Sequence, residues 1–334
     1  MQYRKLGTTG LEVSVICGGT WSIATRDAFW DGQQRGDSIA AVHAAIEAGV
    51  NFFDTAPLYG NGESEEILGE ALAGRRGELI VATKVSPADL EPARLRARCE
   101  QSLRALRTDY IDLYQIHFPN FAIPLEATYR TMDDLRREGK VRWLGVSNFG
   151  PGYLDEALAL GPVASNQVPY SLLWRPIEHA ILPRCVARQV AVLAYSPLAL
   201  GLLTGKFAAP EEVPDKRART RLFSQARPMT RHHEPGCEQE TFAALAGIRQ
   251  VAEELGLSMA HLAMAWLLAQ PGVTAAVAGA RNAAQAIENA AAAAVRLEPD
   301  VIRRLSAITE PVKQKLGANA DPWEHASRME RPAG

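Results

Sequence analysis

No apolar run in this chain reaches the ~18 residues that a membrane-spanning helix needs. The amino terminus, Met1-Gln2-Tyr3-Arg4-Lys5, leads into polar sequence without the apolar core of a secretory leader. Cysteine is scarce. Cys17, Cys99, Cys185 and Cys237 lie more than fifty positions apart with no CxxC pair, which argues against a zinc knuckle and a disulfide framework. A reduced, cytoplasmic setting with no membrane partner is the expectation. An excess of one charge is missing too. Lys and Arg total 36 against 38 Asp and Glu, a formal net charge of −2, so nothing is at hand to neutralise a run of phosphates and no nucleic-acid partner is expected.

Several catalytic and nucleotide motifs are also absent. GxGxxG does not occur; Gly60-Asn61-Gly62 runs on into Glu63, Ser64 and Glu65. Gly201-Leu202-Leu203-Thr204-Gly205-Lys206 is one residue short of a phosphate loop, and Phe207 stands where Ser or Thr is required. There is no GxSxG and no HExxH. His232-His233 stands apart from other ligand types and reads as a solvated pair, so no metal is expected.

What the 334 residues do contain, at 47% hydrophobic and 22% charged, is an ordinary globular composition, which excludes wholesale disorder. Eight β-rich apolar runs recur: 13–17, 50–53, 79–85, 110–117, 141–146, 163–168, 190–195 and 273–277. Most are continuous, as expected for strands covered on both faces. Helical patterns separate them at 38–48, 64–73, 92–106, 125–138, 151–160, 178–188 and 282–293. Ser64 reads as an N-cap ahead of Glu65 and Glu66, while Pro92 and Pro151 suit a first helical turn. Eight strands alternating with helices predict a single α/β domain over residues 1–334, a (β/α)8 TIM barrel, ahead of a doubly wound sheet. One stretch breaks the alternation. Residues 198–237, after the seventh strand, form a long loop with seven basic side chains (Lys206, Lys216, Arg217, Arg219, Arg221, Arg227, Arg231), which reads as a lid. Asp215–Arg231 is expected to be its more mobile part without cofactor. Residues 311–334 read as a polar C-terminal tail.

Barrel chemistry collects at the carboxyl ends of strands. Asp54 and Tyr59 follow the second run, Lys84 ends the third, His117 the fourth, Ser147-Asn148 the fifth, Gln167 the sixth, and Tyr195-Ser196 the seventh. Each has a bland alternative singly: a turn cap, a surface charge, a satisfied core histidine. A Lys just past Ile80-Val81-Ala82-Thr83 still needs a buried partner, and Asp54 on the neighbouring strand can supply one. A Lys beside Tyr59 is expected to lower a phenol pKa that is otherwise ~10. That Tyr can protonate an oxygen becoming alkoxide, with a neutral His orienting the same oxygen. The chemistry is carbonyl reduction with hydride from a bound cofactor.

Asp54, Tyr59, Lys84 and His117, in that order, resemble the tetrad of the aldo-keto reductases. So do Asp54-Thr55-Ala56-Pro57-Leu58-Tyr59-Gly60, Gly145-Val146-Ser147-Asn148-Phe149, Ala194-Tyr195-Ser196-Pro197-Leu198 with Gly201–Lys206, and Gly279-Ala280-Arg281 with Gln285, Glu288 and Asn289. The chain most resembles the bacterial branch that includes inositol-pathway and general-stress reductases. Tyr3–Gly7 through Val13-Ser14 is similar to the amino-terminal β-hairpin that closes the barrel bottom there. The resemblance implies Tyr59 as acid/base, Lys84 and Asp54 tuning it, and His117 polarising the carbonyl. It implies Ser147, Asn148 and Gln167 on the nicotinamide carboxamide, with Tyr195 stacked on the ring. Ser196, Leu198, Gly201 and Lys206 then hold the pyrophosphate, and Gly279, Arg281, Gln285 and Asn289 the adenosine end. Ala278 stands where many members have Pro, and Gln285 where several carry a base, which leaves Arg281 to select the 2′-phosphate of NADP(H) over NAD(H). Trp21, Trp30, Phe118 and Tyr170 are the expected substrate pocket. Two alternatives stand beside carbonyl reduction: a cofactor-binding regulatory subunit of the same fold with slow turnover, and a Schiff-base aldolase using Lys84. The substrate and the oligomeric state leave no mark in the sequence.

Overall fold

The computed structural model describes residues 1–27, 29–30 and 32–331. Eight strands close into a parallel barrel in chain order: β3 (Ile16–Gly19), β4 (Phe52–Asp54), β5 (Ile80–Val85), β6 (Ile111–Ile116), β7 (Val141–Ser147), β8 (Ser165–Pro169), β9 (Ala191–Tyr195) and β10 (Val273–Gly279), which returns to β3. A separate antiparallel hairpin, β1 (Tyr3–Lys5) with β2 (Glu12–Ser14), precedes them. The helices that follow successive strands are α1 (Arg35–Glu47), α2 (Glu63–Ala71), α3 (Pro92–Ala105), α4 (Leu125–Arg137), α5 (Pro151–Leu160), α6 (Ile181–Ala187), α7 (Glu238–Leu255), α8 (Met259–Leu268), α9 (Ala283–Ala291) and α10 (Pro299–Leu316). This is the predicted (β/α)8 barrel.

The core has two shells because side chains alternate along each strand. Cys17, Phe52, Ile80, Ala82, Leu113, Ala191, Leu193, Ala275 and Val277 fill the lumen. Leu6 and Val13 of the hairpin join them and plug one end. The intervening positions, such as Phe53, Val81, Val85 and Tyr114, pack outward against the helices. The same alternation carries Asp54, Lys84 and Gln115 inward at the opposite end, where Asp54 is in register with Ala82 and Lys84 with Gln115. Parallel strands thus deliver polar groups to one rim above an apolar plug.

Several expectations need correction. The first predicted run, 13–17, divides: Glu12–Ser14 belongs to the hairpin and Ile16–Gly19 begins the barrel. Helices α7, α8 and α10 escaped the periodicity. Every residue of α8 except His261 is buried, so it has no polar face to mark the period. The predicted tail does not begin at Pro311, which lies inside α10; Leu305, Val312 and Leu316 bury one face of that helix, and packing outweighs the lost backbone bond. Residues 332–334 of that tail lie outside the described residues. Ser64 is not the N-cap of α2; Gly62 is, and the Ser64 hydroxyl is buried, donating toward Thr20. The His232-His233 pair is not simply solvated: His232 is buried. Among the described residues no group of three His, Cys, Asp or Glu side chains could hold a metal, and no single helix is long and apolar enough to cross a membrane.

The long segment after β9 is packed in its middle. Ala218, Leu222 and Phe223 are buried, and Arg221 donates to the carbonyls of Leu316 and Asn319. Packing therefore anchors the centre of the stretch expected to be mobile.

Candidate functional site

Tyr59 stands at the start of an unusual turn. Gly60, Asn61 and Gly62 have φ of 57°, 55° and 93°, three left-handed residues in succession. A Cβ on Gly60 would come within 2.5 Å of the Ala24 Cβ, so only glycine fits that bend. The turn aims the phenol at Lys84, whose Nζ donates to Tyr59 Oη at 3.3 Å, to Asp54 Oδ2 at 2.6 Å and to the Thr55 carbonyl at 2.9 Å. Asp54 Oδ1 accepts from Gln167 Nε2 at 2.8 Å and from Gln115 Nε2 at 3.2 Å. Both ions are sealed from solvent, and a buried pair is tolerable only when its remaining donors and acceptors are satisfied, as they are here. The His117 ring meets the Tyr59 ring edge-on, with centroids 6.0 Å apart. Its Nδ1 is buried without a hydrogen-bond partner. The four tetrad residues are together.

Their ionisation follows from burial and from one cation. Burial pushes the Tyr59 phenol up and outweighs the pull of Lys84, so the net shift is upward. That corrects the expectation of a net lowered value: Lys84 only limits the rise. Burial alone would lower Lys84, but Asp54 and Tyr59 more than compensate and keep it charged. Burial and then Lys84 hold His117 well below the usual histidine range, so it is neutral at physiological pH.

The residues expected at the carboxamide form a linked set. Ser147 Oγ donates to the Gln167 carbonyl at 2.8 Å. Asn148, at φ 60°, donates through Nδ2 to the His117 carbonyl and to Ser147 Oγ, both at 3.0 Å, and accepts from Tyr195 Oη at 2.9 Å. Gln167 differs from expectation in part, since its amide nitrogen is engaged by Asp54.

Beyond Tyr195, positive φ recurs at Ser196 (54°), Ala199 (47°), Leu200 (53°) and Gly201 (96°). Successive turns of this kind gather backbone N–H groups into an anion-binding concavity. Burial and the neighbouring charges of Arg217 and Arg281 lower Lys206; burial and Arg281 lower Arg217. Three cations thus converge beside that backbone. Arg281 donates through Nε to Gln33 Oε1 at 3.0 Å and through its backbone N–H to Gln285 Oε1 at 2.9 Å, while Asn289 Nδ2 donates to the Gly279 carbonyl at 3.0 Å. Leu198 opens the concavity, accepting from the Gly201 and Leu203 backbone N–H groups. Crowded cations beside this left-handed turn suit a polyphosphate, so the donor set fits a dinucleotide. Sequence reasoning counted Arg217 only as loop charge, gave Gln115 no role beyond a polar end of the fourth strand, and missed Gln33, which carries no local motif.

The expected pocket divides. Trp21 lies 6.2 Å from the Tyr59 ring and meets Trp30 edge-on at 5.5 Å; Phe118 lies 6.0 Å from His117. Phe29 joins this wall at 5.8 Å from Trp21. Tyr170 instead is buried against Trp266, its hydroxyl donating to Glu178 at 2.8 Å.

Comparison with known proteins agrees with this geometry. The Aldo/keto reductase family model matches residues 15–310. The aldo-keto reductase YhdN of Bacillus subtilis is 36% identical over 300 residues, covering 85% of this chain and 86% of the relative. Among solved structures, the glycerol dehydrogenase of Gluconobacter oxydans superposes with a TM-score of 0.81 at 33% identity, covering 97% of this chain and 98% of that one. An aldo/keto reductase from Klebsiella pneumoniae, solved in complex with NADP and acetate, gives 0.71 at 32% identity, covering 89% and 92%. With its barrel, its rim of polar side chains and a family match over most of its length, this chain belongs to the aldo/keto reductase family of oxidoreductases.

Proposed function

We propose that this protein reversibly reduces aldehydes or ketones to alcohols with NADP(H). The observation that carries the reading is the Tyr59–Lys84–Asp54 line of hydrogen bonds beside a neutral His117. When bound, NADPH would supply the hydride. Tyr59 Oη gives its proton to the carbonyl oxygen, and its raised pKa keeps that proton loaded at neutral pH. Lys84, fixed by Asp54, stabilises the phenolate left behind. An N–H of neutral His117 donates to the same oxygen and orients it. Ser147, Asn148 and Gln167 would hold the carboxamide, with Tyr195 beside the nicotinamide. The segment Ser196, Leu198 and Gly201, with Lys206 and Arg217, would hold the pyrophosphate; Gly279, Arg281, Gln285 and Asn289 would hold the adenosine end. A Schiff-base role for Lys84 fits poorly, because the amine is sealed and held protonated by two partners. The test is a screen of aldehydes and ketones with NADPH against NADH, following nicotinamide absorbance; no turnover with any carbonyl overturns the reading.

Arg281 is the basic residue of the 279–289 segment. A charge-assisted hydrogen bond is worth about 1.5–3 kcal/mol, so Arg281→Ala weakens NADPH binding roughly ten- to a hundredfold and leaves NADH nearly unchanged. Fluorescence titration with both cofactors checks this, and equal losses would make the residue structural.

The 198–237 segment acts in this reading as a lid over the pyrophosphate. Trypsin is expected to cut the apo protein after Lys216 and Arg231 and to spare Arg219 and Arg221, which are buried. NADPH slows both cuts. Cutting that is indifferent to saturating cofactor removes the lid role.

A further inference from the structure

The arginines around the site mouth are mostly accounted for by acceptors or by the proposed phosphate site. Arg221 donates to Glu234 Oε2 at 2.8 Å and to three backbone carbonyls. Arg328 forms a two-pronged pair with Asp321 at 2.7 and 2.9 Å. Arg217 donates to the Leu200 carbonyl at 3.1 Å and belongs with Lys206 and Arg281. Arg219 fits neither group.

Its guanidinium lies in an aromatic box, 3.9 Å from the Phe29 ring, 4.6 Å from Trp323 and 5.5 Å from Trp21. The residue is only 6% exposed. Toward the described residues it donates one hydrogen bond, from Nε to the Lys216 carbonyl at 3.0 Å, and forms no ion pair. Its Nη atoms donate no hydrogen bond to any described residue. Asp27 is the acid whose field it feels, but that carboxylate is occupied: Oδ2 accepts from Trp21 Nε1 and Oδ1 from the Phe29 N–H, each at 2.8 Å. The other charges facing it, Arg231 and Arg217, have its own sign. Burial and Arg231 together lower its pKa to about 10, which leaves it cationic at neutral pH. An enclosed guanidinium short of acceptors is costly unless an anion completes it.

Trp21 ties this cation to the chemistry, since the same indole lies 6.2 Å from the Tyr59 ring. We infer that the site takes carbonyl compounds bearing a second, anionic group, a carboxylate or a phosphate, held by the guanidinium of Arg219, which shares Trp21 with the proton donor Tyr59. The inference rests on the reading of Tyr59 as proton donor in carbonyl reduction.

The experiment measures kcat/KM with NADPH for two matched pairs: 4-carboxybenzaldehyde against benzaldehyde, and glyceraldehyde 3-phosphate against glyceraldehyde. Native protein, Arg219→Gln and Arg219→Lys are compared. The native protein is expected to favour the anionic member of at least one pair roughly ten- to a hundredfold, mainly through KM. The pair that shows it distinguishes carboxylate from phosphate. Arg219→Gln brings the ratio close to one, and Arg219→Lys retains part of it. Equal use of both members by the native protein overturns the inference, as does a preference that survives Arg219→Gln. Equal loss for both members in Arg219→Gln does the same, since it marks a prop for the aromatic wall. Absence of turnover with all four compounds, and with a wider carbonyl screen, defeats the underlying reading of Tyr59 instead.

Discussion

Tyr59→Phe is expected to lower kcat for aldehyde reduction by about 10²-fold or more while leaving the Kd for NADPH close to native. The substitution removes one oxygen and keeps the ring that packs 6.2 Å from Trp21 and edge-on to His117. Lys84 loses one of three partners but keeps Asp54 and the Thr55 carbonyl, so the ion pair stays satisfied and the fold is undisturbed. What disappears is the proton. No neighbour can replace it: His117 is held neutral with a depressed pKa, and Lys84 is enclosed behind the phenol. The loss should fall on kcat rather than KM, because the proton moves only as the carbonyl becomes an alkoxide. Raising the pH does not rescue the variant, whereas a proton supplied by His117 would produce a limb on the acid side. Steady-state kinetics with a reactive aldehyde, paired with cofactor fluorescence titration, checks both halves; near-native kcat would remove Tyr59 from its role.

How far the sequence could lead depended on whether the relevant contact was local in the chain. The eight strands were legible because a barrel buried on both faces demands long apolar runs, and the rim because polar residues end those runs one after another. Asp54 and Lys84 could be paired in advance because neighbouring strands must carry them to the same side. The three missed helices had weak or misleading markers: α8 is buried nearly all round, and Pro311 inside α10 reads as a stop. Gln115 and Gln167 illustrate a different limit. Their amides converge on one carboxylate oxygen from strands far apart in sequence, and nothing in either segment announces it. Tyr59 shows a third. The neighbouring cation was readable, yet the net direction of its pKa depends on how deeply the phenol is enclosed, which is a property of the packed molecule. Tyr170 shows the same limit: an aromatic residue after a strand was visible, but its contact with Trp266 and its hydrogen bond to Glu178 were not.

Lys84→Met is expected to damage stability and activity together, and the two losses can be separated. Met matches the length of the buried stem but removes the charge that Asp54 faces at 2.6 Å. Breaking a buried pair from one side costs about 3–5 kcal/mol, because the remaining ion is left uncompensated. For a protein of this size that corresponds to a Tm lower by roughly 4–7 °C. Adding Asp54→Asn to Lys84→Met neutralises the orphan, and Gln115 and Gln167 can still reach the side-chain oxygen, so much of the lost Tm returns. Activity does not return with it. The phenolate formed by Tyr59 has lost its stabilising cation, and a preorganised charge at a developing anion is worth about 10²–10³ in kcat. Thermal unfolding at neutral pH, with kinetics on the single and double variants, reads out both effects. A double variant that regains kcat along with Tm would show that Lys84 serves only to hold the fold.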